Sequence, residues 1–129
     1  MSESRHPTYA QVLEIHRRVL ENHGGSDGIR SRDLLDSALA APKATFGGGP
    51  IITEPVEIAA SYLYYLCSNH PFIDGNKRVA MATSILFLRI NGIQTLPDSQ
   101  DWLALTLAVA AGKLDRGQTT AALRRLVHS

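Results

Sequence analysis

Residues 79–90 read VAMATSILFLRI, a stretch that is apolar on nearly every side. A helix with this pattern is normally buried all round, so we expect it in the middle of a small helical bundle. Asn91-Gly92 provides the stop signal after it, and Gly75 lies just before its first turn. The stretch therefore predicts an all-α fold arranged around a central apolar helix.

Other segments repeat apolar residues at helical spacing between recognisable start and stop signals. Residues 43–53 contain Gly47-Gly48-Gly49-Pro50 and are predicted not to be helical. No alternating strand pattern of any length is present. We expect a compact bundle of about six helices forming a single domain over residues 1–129, with the remaining helices near 8–23, 31–42, 54–69, 99–111 and 118–127.

The composition restricts the class of protein. A chain of 129 residues with 44% hydrophobic residues can bury one core. Its formal net charge of +1 gives no broad basic field, so nucleic acid is not expected as a direct partner. The start lacks the apolar run of a secretory signal, and no segment approaches the roughly 20 apolar residues that span a bilayer. With Cys67 as the only cysteine, these features favour a protein of the reducing cytoplasm with no membrane contact.

The segment NHPFIDGNKR, residues 69–78, has a composition that neither a helix nor a core requires. Pro71 should end the preceding helix, because the residue before a proline is pushed away from helical angles. Phe72 should enter the core and hold the polar residues around it in place. The segment is thus predicted to be a rigid loop between two buried helices.

The end of this loop has the features of an anion site. Gly75, Asn76 and Lys77 fall at the first turn of the apolar helix, where main-chain N–H groups lack partners and the helix dipole favours negative charge. Gly75 also allows close approach to the backbone. Lys77 and Arg78 add full positive charge at the same place. We interpret Gly75, Asn76, Lys77 and Arg78 as a phosphate-binding set.

Two further groups complete a possible active site. His70 has an unperturbed pKa near neutrality, so it is the natural general base for an attacking hydroxyl. Asp74 is a hard oxygen ligand suited to Mg²⁺, although a carboxylate before a helix could equally well cap it. Together the groups fit phosphoryl or nucleotidyl transfer from ATP. The alternative is a connecting loop with solvated charges.

Residues 70–78, HPFIDGNKR, resemble the signature of the Fic superfamily, His-x-Phe-x-(Asp or Glu)-Gly-Asn-Gly-Arg-x-x-Arg, in the form found in death-on-curing (Doc) toxins. The resemblance also includes residues 28–30, 34–35, 45–48, 86–92 and 110–114. It implies a Fic-fold helical bundle acting as the toxin of a type II toxin-antitoxin pair.

Two departures from the general signature bear on the reaction. Lys77 stands where AMP-transferring members have glycine, and Met81 stands where they have a second arginine. The resemblance then implies a Doc-type kinase that uses ATP and Mg²⁺, with His70 as base and Asp74 as metal ligand. Its implied target is a threonine of elongation factor Tu, and the effect is arrest of translation. The alternatives are a Fic-type AMP transferase and a catalytically inert antitoxin-binding corepressor.

Regulation is expected to come from another protein. Inhibited Fic proteins carry (Ser or Thr)-x-x-x-Glu-(Gly or Asn), and here Glu57 alone has a threonine four residues earlier, but Ile58 follows it. The resemblance therefore implies a Phd-like antitoxin as partner. It also places the family's substrate-aligning flap at residues 46–52.

The other histidines and the cysteine have simpler interpretations. His16 lies on the apolar face of the first helix and is expected to be a packed histidine. Cys67 is expected to be a small buried apolar residue. Three histidines near a terminus or a helix end are expected to be solvated: His6, His23 and His128.

Overall fold

The computed structural model describes residues 4–95 and 100–127 and confirms the all-α fold. The predicted start of the fifth helix at residue 99, and His128, lie outside these residues. The helices are α1 (Tyr9–His23), α2 (Arg32–Ala40), α3 (Pro55–Asn69), α4 (Asn76–Ile90), α5 (Gln100–Ala110) and α6 (Arg116–Val127), with a 3-10 turn at Ala41–Lys43 and two short strands, β1 (Thr45–Phe46) and β2 (Gly49–Pro50).

Capping side chains fix where most of the helices begin. Thr8 and Gln11 form the predicted capping box of α1, with both reciprocal hydrogen bonds present. The Ser31 hydroxyl accepts from the Leu34 N–H at the start of α2. Glu54 caps α3 in the same way. These ends agree with the sequence because a cap depends only on residues three positions apart.

The last helix begins earlier than the sequence indicates. It starts at Arg116 and not at Gln118. The Gln118 N–H donates to Asp115 Oδ1 over 2.7 Å, and the Asp115 N–H donates to Gln118 Oε1 over 3.0 Å. This reciprocal cap adds two residues to the helix that apolar spacing alone does not reveal.

The centre of the bundle is α3, whereas the sequence places α4 there. Helix α3 packs against α2, α4, α5 and α6, while α4 packs against α1, α3 and α5. Met81 and Ile85 on α4 keep partial exposure. Small residues let the neighbours approach α3 from several sides, and its buried residues are Val56, Ile58, Ala59, Ala60, Ser61, Tyr62, Leu63, Leu66 and Cys67.

Residues 45–50 form a short hairpin between the 3-10 turn and α3. The strands are antiparallel, with Thr45 opposite Pro50 and Phe46 opposite Gly49. Gly47 and Gly48 form the turn with φ values of 63° and 84°, the positive pair that a two-residue hairpin turn requires. The segment is non-helical as predicted, and its strands are too short to show alternation in the sequence.

His6 is not solvated, contrary to the sequence interpretation. Its Nδ1 lies 2.7 Å from the Tyr62 hydroxyl, and its ring is 5.3 Å from the Phe87 ring. Burial lowers the pKa of His6, and the positive charge of Lys43 acts in the same direction. His6 also lines a groove of about 540 Å³ beneath the hairpin.

Cys67 is buried, as the sequence predicts. Cys67 is a free, buried thiol, and burial raises its pKa to about 12 against a smaller opposing effect of Lys77. Among the residues that the structure describes, no helix combines the length and the apolar character needed to cross a membrane.

Candidate functional site: a histidine beside an uncapped helix start

His70 follows α3 directly and has a left-handed backbone, with φ 51° and ψ 54°. It is the only non-glycine residue with positive φ in the described part of the chain. That conformation costs a non-glycine residue roughly 1–2 kcal/mol, and such strain collects at functional sites. Pro71 follows it, so the chain leaves the right-handed helix here as predicted. The imidazole is exposed to solvent.

Phe72 anchors the loop in the core, as predicted. Its side chain is fully buried and its ring stacks on His16, with centroids 4.0 Å apart and planes 12° apart. His16 Nε2 lies 3.0 Å from the main-chain oxygen of Asp74, so this nitrogen must carry the proton because a carbonyl can only accept. His16 is therefore the packed histidine expected, and it also ties α1 to the loop.

Asn76 closes the loop with its side chain. Its Oδ1 accepts from the Phe72 N–H over 2.8 Å, and its Nδ2 donates to the Phe72 carbonyl over 2.9 Å. The side chain is buried. Asn76 was grouped with the phosphate-binding residues on sequence, and the group that it can offer to a phosphate is its main-chain N–H in the uncapped first turn of α4. Its amide side chain is engaged within the loop.

The start of α4 has no side-chain cap. Gly75 occupies the N-cap position with φ 85° and ψ 9°, and no side chain accepts from the first turn. The N–H groups of Asn76, Lys77 and Arg78 thus have no partner within the helix. A Cβ on Gly75 would lie 3.2 Å from Val19 Cγ1, so close packing of α1 also requires glycine. With the exposed side chains of Lys77 and Arg78, this end of α4 suits an anion.

Asp74 does not cap α4, although capping was the main structural alternative. Its Oδ2 instead accepts from the Ser26 N–H over 3.0 Å. In the described part of the chain no donor pairs with Oδ1, and the carboxylate is exposed. Over residues 4–95 and 100–127, no group of three or more His, Cys, Asp or Glu residues converges to hold a metal. One carboxylate beside a phosphate site is the arrangement in which proteins hold Mg²⁺, so the residues fit this ion.

Arg78 has a neighbour that the sequence did not indicate. Its Nη1 lies 3.3 Å from His23 Nε2, at the last turn of α1. The guanidinium can only donate, so Nε2 is the acceptor in this contact. His23 is exposed as expected, but it restrains a cation of the site.

The flap and the histidine lie beyond opposite ends of α3. The hairpin precedes Pro55, and His70 follows Asn69. Fifteen residues of helix extend about 22 Å along the axis. The alignment role of residues 46–52 stays a prediction.

Within nine residues the loop brings together an imidazole, a carboxylate, an uncapped helix start and two cations. This combination defines the class as a helical protein with a loop whose groups suit chemistry at a phosphate group.

Comparisons with known proteins give the family. The Fic/DOC family matches residues 6–88, and the chain belongs to that family. It is 30% identical over 125 residues to the protein named protein kinase doc of Escherichia phage P1, covering 97% of this chain and 98% of that protein. It is also 43% identical over 75 residues to the toxin Doc of Mycolicibacterium smegmatis (strain ATCC 700084 / mc(2)155), covering 58% of each chain. The resemblance to Doc toxins of the Fic superfamily is thus confirmed.

Proposed function

We propose that the protein is the toxin of a type II toxin-antitoxin pair and that it transfers the γ-phosphate of ATP to a threonine hydroxyl of elongation factor Tu. Translation would stop in the cytoplasm as a result. The observation that carries this proposal is the strained His70, placed six residues before Asn76, the first residue of the uncapped helix α4. The names of two relatives, protein kinase doc and toxin Doc, support a kinase activity and a toxin role.

The phosphates would be held by Gly75, Asn76, Lys77 and Arg78. Asn76 would contribute its main-chain N–H, because its side chain is bonded to Phe72. Lys77 and Arg78 would contribute N–H groups and side-chain charge. These groups are fixed by α4 before any ligand binds, and preorganised charge of this kind stabilises a transition state.

Asp74 would be the metal ligand. The Ser26 N–H fixes Oδ2 and so leaves Oδ1 to face a cation. When bound, Mg²⁺ would neutralise part of the negative charge of the phosphates.

His70 would act as general base. It takes the proton of the threonine hydroxyl while the hydroxyl oxygen forms a bond to the γ-phosphorus. The bond from that phosphorus to the bridging oxygen breaks, and ADP leaves with the electron pair. The proton on the imidazole then passes to solvent, which restores the base.

Labelled ATP separates the kinase from an AMP transferase. Purified protein is incubated with elongation factor Tu and ATP labelled at either the α or the γ position. Label from the γ position alone supports the kinase, and incorporation from the α position refutes it. Lys77→Ala should lose phosphate transfer, whereas Lys113→Ala, an exposed lysine after α5, should not.

Growth separates catalysis from an inert corepressor. Expression of the wild type should arrest growth and His70→Ala should not. Equal arrest by both proteins, or arrest by neither, would contradict the catalytic proposal.

A Phd-like antitoxin is the proposed partner. Glu57 supports control from outside, because its carboxylate accepts from Arg116 over 3.1 Å at the end of α3 remote from His70. Co-expression with a Phd-like antitoxin should restore growth and yield a stable complex on co-purification. Free toxin in that purification would argue against the pairing.

A further inference from the structure

Residues 28–31 pack edge to edge against the loop that carries His70. The N–H groups of Arg30 and Ser31 both donate to the Pro71 carbonyl, over 2.7 and 3.0 Å. The Ile73 N–H donates to the Gly28 carbonyl over 3.0 Å. The two segments thus form a short antiparallel contact just after the histidine.

The Arg30 side chain extends this contact past the histidine to the end of α3. Its Nε donates to the His70 carbonyl over 2.7 Å, and its Nη2 donates to the Asn69 carbonyl over 2.8 Å. Carbonyls at a helix C-terminus have no partner within the helix and carry partial negative charge. A guanidinium satisfies two of them at once, in charge-assisted bonds.

These bonds fix the geometry of His70. The orientation of the His70 carbonyl is the orientation of the peptide plane between His70 and Pro71, and that plane defines ψ of the histidine. On the other side Arg30 holds the Asn69 carbonyl, in the plane that sets φ. Arg30 therefore restrains both dihedral angles of a residue whose left-handed conformation is unfavourable for any side chain.

We propose that Arg30 is a positioning residue for the general base: it holds the backbone of His70 left-handed, and so aims the imidazole, without touching ATP or the target hydroxyl. This inference rests on the proposed function of His70. A lysine cannot take the place of Arg30, because a compact ammonium lacks the planar fork that reaches two carbonyls.

The test compares Arg30→Ala and Arg30→Lys with Arg32→Ala, whose arginine lies two residues away with its guanidinium 5.1 Å from the Tyr9 ring. For phosphate transfer to elongation factor Tu, kcat of both Arg30 variants should fall about 10- to 100-fold, the usual effect of a misplacement of about 1 Å. The KM for ATP should stay within about twofold, since the phosphate groups bind elsewhere. Arg32→Ala should keep its kcat. Guanidinium ion added at millimolar concentration should restore part of the activity of Arg30→Ala and none of that of His70→Ala.

A merely structural role would look different. The proposal is overturned if Arg30→Lys matches the wild type, if kcat falls only in proportion to the unfolded fraction, or if KM rises in place of the fall in kcat. Crystal structures of both Arg30 variants give a readout that needs no activity: φ of His70 should leave the positive region. If the wild type transfers no phosphate while φ changes in this way, the proposed function fails and the positioning role stands. If φ remains near 51°, the positioning role fails.

Discussion

Asn76→Ala tests whether the loop is held by the asparagine side chain. The substitution removes two hydrogen bonds in a buried site and leaves the Phe72 N–H and carbonyl without partners. An unsatisfied buried group costs about 1–3 kcal/mol, so the two together should cost about 2–6 kcal/mol. Since domains of this kind are stable by about 5–15 kcal/mol, the variant should fold with a much smaller margin.

Urea unfolding measures this loss. Trp102 is the only tryptophan and is almost completely buried, so its fluorescence reports unfolding. With a slope of about 2 kcal/mol per M, the midpoint should fall by about 1–3 M. Asn69→Ala is the matched control, because it removes a single partly buried bond to the Leu34 carbonyl and should cost about 1 kcal/mol.

Asn76→Asp adds a second test, in which stability is measured as a function of pH. The variant keeps the acceptor for the Phe72 N–H but turns a second oxygen toward the Phe72 carbonyl. A buried carboxylate in that place has a raised pKa, so the folded state binds more protons than the unfolded state and stability should increase as the pH falls. A midpoint for Asn76→Ala within about 0.3 M of the wild type, together with lost ATP binding, would refute the loop-closing role.

Three other perturbations follow from the geometry. Gly75→Ala should lower Tm by several degrees, because φ of +85° costs a side chain roughly 1–2 kcal/mol and the new Cβ would lie 3.2 Å from Val19. Gly117→Ala in α6 is the control. An unchanged Tm for Gly75→Ala would contradict the tight packing. His6 has a lowered pKa, so the unfolded chain takes up its proton first as the pH falls through 6.5, and stability declines below that pH. In His6→Gln, urea midpoints between pH 7 and pH 5 should decline less steeply, and equal slopes would show that the histidine is not linked to folding. Burial raises the pKa of Cys67 to about 12, so the thiol should not react with a disulfide reagent at pH 8 until urea unfolds the protein. Rapid reaction of the native protein would contradict this burial.

Most helix limits, and the loop at residues 69–78, could be predicted from the sequence because their causes are local. A cap such as Thr8 with Gln11 spans three residues, and Pro71 acts on the residue just before it. The interpretation of residues 69–78 as phosphate-directed likewise depends on side chains that are neighbours along the chain, and it stays a proposal. The burial of Phe72 was predicted because a large aromatic side chain can anchor a polar loop in the core.

Features that depend on distant contacts could not be predicted. The partners of Arg30 are about forty residues away, and Tyr62 lies 56 residues from His6. The direction of the Asn76 side chain was also undetermined, because a residue in the first turn of a helix can point inward or outward. Likewise, the choice between α3 and α4 as the central helix depends on which neighbours pack on each, and periodicity alone does not decide it.

The contact between residues 28–31 and 71–73 uses main-chain atoms, and this has an evolutionary consequence. The side chains of Ile29 and Ile73 are 38% and 51% exposed, while main-chain groups of the two segments make the hydrogen bonds between them. Mutations of Ile29 and Ile73 can therefore change the surface offered to another protein without moving the backbone of the loop that carries His70. The residues that would contact a target can thus change during evolution separately from the residues of the candidate site.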